Sequence, residues 1–328
     1  MSRFVNRRML SVVLALTCLS ALSSTHTWKG PANGNWSDVN NWTGGIPTSG
    51  ESGGTIVQFN GGTTSIMNIN GLIVDQIVFT GNNNVIGGTG GIKLTISSNV
   101  LGANINNVSG TGNALDFSLP VGLTGTNDIF FVAAAGSMTL KSTISGTNNV
   151  RISTAAGAQV SYLGSKTYTG ITGISAGTLL LSSVGTDNAV AGDIVIGTGS
   201  GSGATLKLVF GFEIANTSNV TVNSDGTFDL NNQGETIGAL AVNGGSALIG
   251  SGNLSYSGAL DMAGGTISGT SVFSLGSAVS ATSSSIDSAR ITCPVSIAAR
   301  ARSQLTTGPR RGILSSPMSS LNARPVRY

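Results

Sequence analysis

Histidine, cysteine and charge are all scarce in this chain of 328 residues. There is one histidine, there are two cysteines, and charged residues make up 9% of the total. The histidine, His26, lies close to the N-terminus, so the body has none for a Ser-His-Asp or Cys-His catalytic arrangement. The same residue counts exclude a metal site that uses two or more His or Cys ligands. We therefore predict a protein without a cofactor or a metal ion.

Basic residues are scarce in the body of the chain and concentrated at its two ends. The formal net charge is +3, but seven arginines fall in the last 39 residues and three more lie between Arg3 and Arg8. Residues 24 to 287 hold six basic and 13 acidic residues, which is a net charge of −7. An acidic body repels phosphate backbones, and no basic stripe with interleaved aromatics occurs in it. The folded body is therefore not expected to bind nucleic acid.

Residues 1–23 are typical of a signal peptide. A basic segment from Arg3 to Arg8 precedes an apolar run of 14 residues, Met9 to Leu22, and Ala21-Leu22-Ser23 fits a cleavage site. The run is too short to cross a bilayer core of about 30 Å as a helix. An uncleaved anchor, or lipidation at Cys18, are the alternatives. We predict export to the outer cell surface or the extracellular space, with the periplasm as the alternative, and no membrane span after cleavage.

Cleavage would leave Cys293 as the single thiol of the mature chain. No internal disulfide can then form, although the protein would reach an oxidising compartment. The fold must therefore be stabilised by hydrogen-bonded ladders and by packing.

Glycine and small aliphatic residues are abundant: the chain has 48 Gly and is 40% apolar. Short segments with an apolar residue at every second position recur at roughly 8 to 15 residues, a spacing too tight for intervening helices. Gly-Asn, Asn-Gly and Ser-Gly clusters between them favour sharp turns. The segments include Ile92–Ile96, Val150–Ile152, Leu206–Leu208, Val220–Val222 and Phe228–Leu230. The sequence predicts an all-β protein.

Two architectures accommodate many short strands, an antiparallel sandwich or barrel and a solenoid of stacked parallel coils. A sandwich usually has larger aromatics in its core and two-residue hairpin turns. Small branched side chains and turns rich in Asn, Ser and Thr instead suit stacked coils, in which Val, Ile and Leu form inward ladders and Asn can chain its amides along the axis. We predict a parallel β-solenoid over residues 61–282.

The stretch from Ser161 to Leu181 resembles the autotransporter-associated β-strand repeat. The resemblance implies a passenger-like surface protein folded as a right-handed parallel β-helix of the pectin-lyase-like kind. The matching residues are Leu163, Gly164, Thr167, Tyr168, Gly170, Ala176, Gly177, Thr178 and Leu179.

Residues 24–60 resemble the Trp-rich leader that precedes such repeats in exported bacterial proteins. The resemblance rests on Trp28, Trp36, Trp42, Pro47 and the segment Ile56–Phe59. We interpret this segment as an N-terminal cap in which bulky side chains close the first coil, because terminal repeats are usually atypical. The alternative is that Trp28, Trp36 and Trp42 form an exposed row that stacks on sugar rings.

Residues 283–328 break the pattern, since Gly almost disappears and Arg and Pro accumulate. We predict a disordered tail or the product of an altered reading frame, with a basic arm for acidic polymers as the alternative.

Acidic residues in the body are too dispersed to define a site. Asp225, Asp229 and Glu235 lie close in sequence, and Asp187 and Asp193 flank a turn, yet no calcium-binding repeat occurs. A polysaccharide lyase or hydrolase on the same fold would need paired acids beside a basic residue, with Asp225, Asp229 and Lys207 as candidates. We expect a non-catalytic, adhesin-like surface protein, with such an enzyme as the alternative and polysaccharide or other cell-surface components as partners.

Overall fold

The chain folds as a parallel β-solenoid of about ten turns. In the computed structural model the described residues are 23–100, 102–183, 188–275, 279–282 and 288–297. The predicted signal peptide, except for Ser23, and the predicted tail beyond residue 297 lie outside them. Each coil contributes strands to two or three faces, and equivalent strands of successive coils pair in parallel.

Face A has twelve strands among the described residues. Its strands are Ser24–Trp28, Thr55–Phe59, Gln76–Phe79, Ile105–Asn107, Ile129–Ala133, Val150–Thr154, the first half of Thr172–Leu181, Ile194–Ile196, Val220–Asn223, Leu240–Asn243, Leu260–Ala263 and Val279–Thr282.

Face B follows face A in each coil. Its strands are Gly34–Asn35, Thr64–Met67, Val85–Gly88, Asn113–Leu115, Ser137–Leu140, Gln159–Tyr162, the second half of Thr172–Leu181, Ala204–Leu208, Gly226–Asp229, Ser246–Gly250, Thr266–Gly269 and Arg290–Ile291.

Face C is interrupted. Its strands are Ile73–Val74, Leu94–Ser97, Val121–Thr124, Ile144–Ser145, Glu235–Ile237, Leu254–Tyr256, Phe273–Leu275 and Val295–Ile297. Between Ser145 and Glu235 the described part of this face has isolated bridges in place of strands, at Ile144–Lys166 and Val190–Ile214.

The interior is built from stacked apolar side chains, as the alternating pattern predicts. On face A one inward position is buried in ten successive strands, and its occupants pair in register from coil to coil. They are Val57, Ile77, Ile105, Phe131, Ile152, Ile174, Ile196, Val222, Val242 and Met262. Burying such side chains contributes about 1.5–3 kcal/mol each, so this column is a major source of stability. The predicted parallel β-solenoid is confirmed.

Buried asparagines link three strands where faces A and B meet. Asn84 donates from Nδ2 to Oδ1 of Asn113 (2.9 Å), and Asn113 donates from Nδ2 to Oδ1 of Asn107 (2.8 Å). All three side chains are fully buried. The amides bond to one another inside the protein, in keeping with the expected chaining of asparagines, while Asn84 Oδ1 has no partner among the described residues.

Gly177, in the repeat-like segment, is packed so closely against Thr154 that no side chain fits at its position. Gly177 has a φ of +68°, and a Cβ at this position would collide with Thr154 on the preceding coil. Thr154 Oγ1 accepts the N–H of Thr178 (2.9 Å) and donates to Ala158 O (2.9 Å), so the two coils are in close contact here. Glycine is the residue that fits both the left-handed backbone and the space.

The first strand has one end of its outer edge covered, at Thr27 and Trp28. Trp42–Thr43 pairs antiparallel with Ser24–Trp28, opposite the side on which Thr55–Phe59 pairs in parallel. A short 3₁₀ turn, Val39–Asn41, leads into the covering strand, with Asp38 accepting the Asn40 N–H at its start. Uncovered edge strands are sites of unwanted pairing, so this strand protects the start of the solenoid.

The solenoid extends past the predicted boundary at residue 282. Residues 288–297 fall in the segment that we predicted to be a tail, yet they contain the strands Arg290–Ile291 and Val295–Ile297. Ile291 and Cys293 are buried, and Cys293 is a free thiol whose pKa burial raises. The strands in this segment are only two and three residues long, so their apolar alternation was not evident in an arginine-rich sequence. No helix of the described residues is long and apolar enough to cross a membrane.

Candidate functional site

The three tryptophans are packed inside the N-terminal segment. Trp28, Trp36 and Trp42 are 6%, 0% and 2% exposed. The Trp42 ring meets the other two edge to face, with centroids 5.0 Å from Trp28 and 5.3 Å from Trp36. Trp36 Nε1 donates to Ser65 Oγ (3.0 Å), and Trp42 Nε1 donates to Trp36 O (2.8 Å). An exposed sugar-stacking row does not fit this arrangement, because the indoles pack on one another and on Phe59 to fill the first coils.

The carboxylates that we considered for an enzyme or a calcium site are each engaged separately. Asp229 Oδ2 pairs with Lys207 Nζ at 3.2 Å on the outside of face B. Asp225 lies in a turn, where its carboxylate accepts backbone N–H groups of Gly199 (2.6 Å), Gly201 (2.8 Å) and Thr198 (3.1 Å). Burial opposes ionisation of Asp225, but these hydrogen bonds outweigh it and lower its pKa. Asp187 lies outside the described residues, and no group of three metal-ligating side chains occurs within them.

The structure reveals a buried ionisable column: Lys166 and Glu213 lie where face C lacks strands, and Glu235 begins the strand with which that face resumes. These side chains are 0%, 1% and 1% exposed. They lie along the axis, with one coil between Lys166 and Glu213: the Lys166 N–H donates to Asn188 O on the intervening coil (3.3 Å), and the Val190 N–H of that coil donates to Glu213 O (3.1 Å). Sequence analysis missed Lys166 and Glu213, because a buried charge breaks the alternation that marks the interior.

Lys166 is enclosed by carbonyl groups and an aromatic ring. Its Nζ donates to Leu163 O (2.8 Å) and Gly164 O (2.9 Å) and lies 5.0 Å from the centroid of the Tyr162 ring. Burial lowers the pKa of Lys166 to about 7, and the nearby Glu213 opposes this shift. The cation is therefore held by local contacts rather than by an ion pair.

The two glutamates accept backbone N–H groups that have no strand partner. Glu235 accepts the N–H of Glu213 (2.9 Å) and of Ile214 (3.3 Å) on one oxygen and that of Thr236 (2.9 Å) on the other. Glu213 accepts the Ser183 N–H (3.0 Å), while its Oε1 has no partner among the described residues. Burial raises the pKa of Glu213 to about 8 and that of Glu235 to about 7. The column is closed to solvent and replaces missing strand hydrogen bonds.

Tyr168, one of the residues that resemble the repeat, lies in the interior. Its hydroxyl lies 2.6 Å from Thr172 Oγ1 and 3.3 Å from the Tyr162 hydroxyl. Burial raises the pKa of Tyr168 to about 12. The Tyr-x-Gly motif therefore has a packing role in this chain.

A shallow polar depression lies between two successive turns, 125–128 and 147–149. Its carboxylate, Asp128, is bonded to Arg151 Nε (2.7 Å) and to Asn149 Nδ2 (3.0 Å). The bond to Arg151 lowers the pKa of Asp128. The depression therefore offers a single, already paired acid.

Several phenylalanines are exposed at turns and on face A, which sequence analysis did not anticipate. Phe210 and Phe212 are 45% and 64% exposed just after a strand of face B, and Phe117 and Phe130 are 60% and 41% exposed on earlier coils. Phe212 has a φ of +59°, a conformation that bulky residues rarely adopt.

Comparisons with known protein families, with curated proteins and with solved structures gave no match. The resemblance to the autotransporter-associated repeat therefore stays a prediction, and the β-solenoid is the class that the fold defines.

Proposed function

We propose that this chain is an exported, non-catalytic surface protein that adheres to polysaccharide through its long lateral faces. The observation that carries the proposal is the uninterrupted interior column from Val57 to Met262. It makes a rod whose outer faces repeat from coil to coil, and such repetition allows many weak contacts to act together.

The positions of the acids favour this function over a polysaccharide-degrading enzyme. General acid and base groups must reach the scissile bond. Among the described residues, the acids near a basic side chain are paired on the surface, as Asp229 is with Lys207, or closed to solvent, as Glu213 is near Lys166. Neither arrangement presents two free carboxyl groups to a sugar chain.

A polysaccharide array tests the proposal directly. The purified chain is applied to immobilised neutral and acidic polysaccharides, and retained protein and released reducing ends are both measured. We expect retention without release. Release of reducing ends or of unsaturated sugars would replace the proposal with the enzyme alternative, and absence of retention on every polysaccharide would refute adhesion. Fractionation of cells tests export separately.

A further inference from the structure

The outside of face B carries a column of hydroxyl groups. Five outward positions on successive strands are occupied by Thr or Ser, each half-buried, and they pair in register from coil to coil. They are Thr178, Thr205, Thr227, Ser246 and Thr266.

These hydroxyls are free to bind a ligand. None of the five side chains donates or accepts a hydrogen bond within the described part of the chain, whereas the Ser224 hydroxyl in a nearby turn donates to Gly199 O (2.8 Å). A hydroxyl both donates and accepts, so the column matches a partner that does the same. Neighbouring strands are about 4.8 Å apart, close to the length of one sugar unit in an extended β-linked chain.

A second outward column runs beside the hydroxyls and is apolar or neutral overall. It holds Leu180, Lys207, Asp229 and Leu248 on successive strands, and Lys207 and Asp229 neutralise each other at 3.2 Å. Face B strands between Thr178 and Gly269 carry no other charge. A sugar ring has apolar C–H faces and hydroxyl edges, so the two columns complement a neutral glycan better than a polyanion.

Two aromatic residues lie in the turn that follows one strand of this surface. Phe210 and Phe212 follow the strand Ala204–Leu208, and both are exposed. The left-handed backbone of Phe212 costs conformational energy, and such strain is found most often at functional sites. Exposed aromatic rings can stack on sugars. Over the same coils face A has no such hydroxyl column, because its matching positions hold Val195, Thr221, Ala241 and Asp261.

We infer that the outer surface of face B from Thr178 to Ser268, with Phe210 and Phe212 at its border, binds a neutral polysaccharide that lies along the solenoid axis. This inference rests on the proposed function and names its binding surface and ligand class. Successive hydroxyls of the column would contact successive sugar units. The two phenylalanines would hold the polysaccharide at one edge of the surface.

The test compares variants of the purified chain on a neutral β-linked glucan and on polygalacturonate. The triple variant T178V/T205V/T227V removes three hydroxyls and keeps the β-branched shape, and T221V removes one from face A as the matched control. We expect the triple variant to bind the glucan at least about tenfold more weakly, since a hydrogen bond contributes about 1 kcal/mol and 1.4 kcal/mol corresponds to tenfold. T221V should bind like the wild type.

Phe212→Gly keeps the test valid if the triple variant does not fold. Glycine adopts the observed backbone without strain, so this variant should be as stable as the wild type or more stable and yet bind the glucan more weakly. Equal glucan binding by wild type and folded variants, or wild-type binding to polygalacturonate alone, would overturn the face B inference and leave adhesion standing. A wild type that binds no polysaccharide would refute the proposed function itself.

Discussion

The backbone N–H of Glu213 donates to Oε2 of Glu235 at 2.9 Å, so one buried carboxylate fixes the backbone that carries the next. The contact joins the last coil that lacks a face C strand to the coil in which the strand Glu235–Ile237 resumes that face. It shows how a parallel solenoid can lose part of one face and keep its backbone groups satisfied, because side-chain oxygens replace the missing carbonyl partners.

Glu235→Leu should destabilise the protein by about 3 kcal/mol or more, because three buried N–H groups lose their acceptor. Glu235→Gln keeps a carbonyl oxygen at the site and should cost less. Denaturant unfolding followed by far-UV circular dichroism measures both. Equal stabilities for Glu235→Leu and wild type would show that these N–H groups find other partners.

The buried column should give an unusual dependence of stability on pH. The pKa values of Glu213 and Glu235 are raised to about 8 and 7, so the folded state retains protons that the unfolded state loses, and stability falls as pH rises from about 4.5 to about 8. The pKa of Lys166 is lowered to about 7, so stability rises again from about pH 7 toward its unfolded value of 10.5. We expect a minimum near pH 7–8.

Two variants separate the limbs of this profile. Glu213→Gln should flatten part of the acid limb, and Lys166→Met should flatten the alkaline limb. Unfolding free energies measured across the pH range check both, with Lys207→Met as the control for an exposed lysine. A monotonic wild-type profile would contradict the prediction.

Gly177→Ala should destabilise the protein by several kcal/mol, because a Cβ collides with Thr154 in addition to the cost of a left-handed backbone. Gly157 also has a positive φ, of +77°, but faces open space. Gly157→Ala should therefore cost only about 1–2 kcal/mol. The difference in thermal unfolding midpoint between the two variants isolates the steric contribution.

The N-terminal segment should unfold first in acid. His26 Nε2 lies 2.8 Å from Glu51 Oε2, and its Nδ1 lies 2.9 Å from Gly45 O. Burial opposes ionisation of Glu51, but hydrogen bonds from Thr48 and His26 prevail and lower its pKa to about 2. Its contribution is therefore present above about pH 4.5 and lost as pH falls toward 2.

Tryptophan fluorescence isolates this event, because the chain's three tryptophans all lie in this segment. We expect the fluorescence transition to precede the loss of the circular dichroism signal in acid. Glu51→Gln should lose about 2 kcal/mol of local stability at pH 7, the size expected for hydrogen bonds to a charged group, and show less acid sensitivity. Coincident transitions in wild type would count against a separate N-terminal unit.

The sequence predicted the strands well where alternation was strict. Val150–Ile152 lies within the strand Val150–Thr154, and Leu206–Leu208 lies within Ala204–Leu208. Stacking in parallel was also predictable, since small aliphatics and Asn-rich turns suit repeated coils. The alternation shows which residues of a strand point outward, but it does not show which outward residues of different strands are neighbours. The hydroxyl column therefore became visible only when the register between the strands was known.

The buried ions and the cap illustrate a second limit. Lys166 and Glu213 are adjacent to turns in sequence, where charge usually means solvent exposure, and only the three-dimensional path of face C makes them interior. The tryptophans could be interpreted as a ligand row or as packing, and their mutual edge-to-face contacts decide in favour of packing.

The antiparallel strand Trp42–Thr43 also gives the rod a polarity. Because Thr27 and Trp28 already have a partner on the outer side of Ser24–Trp28, this part of the first strand is closed to a further rung. Lengthening by duplication of coils is therefore expected at the end away from the tryptophans. A family of such rods would vary in length at one end and keep the other constant.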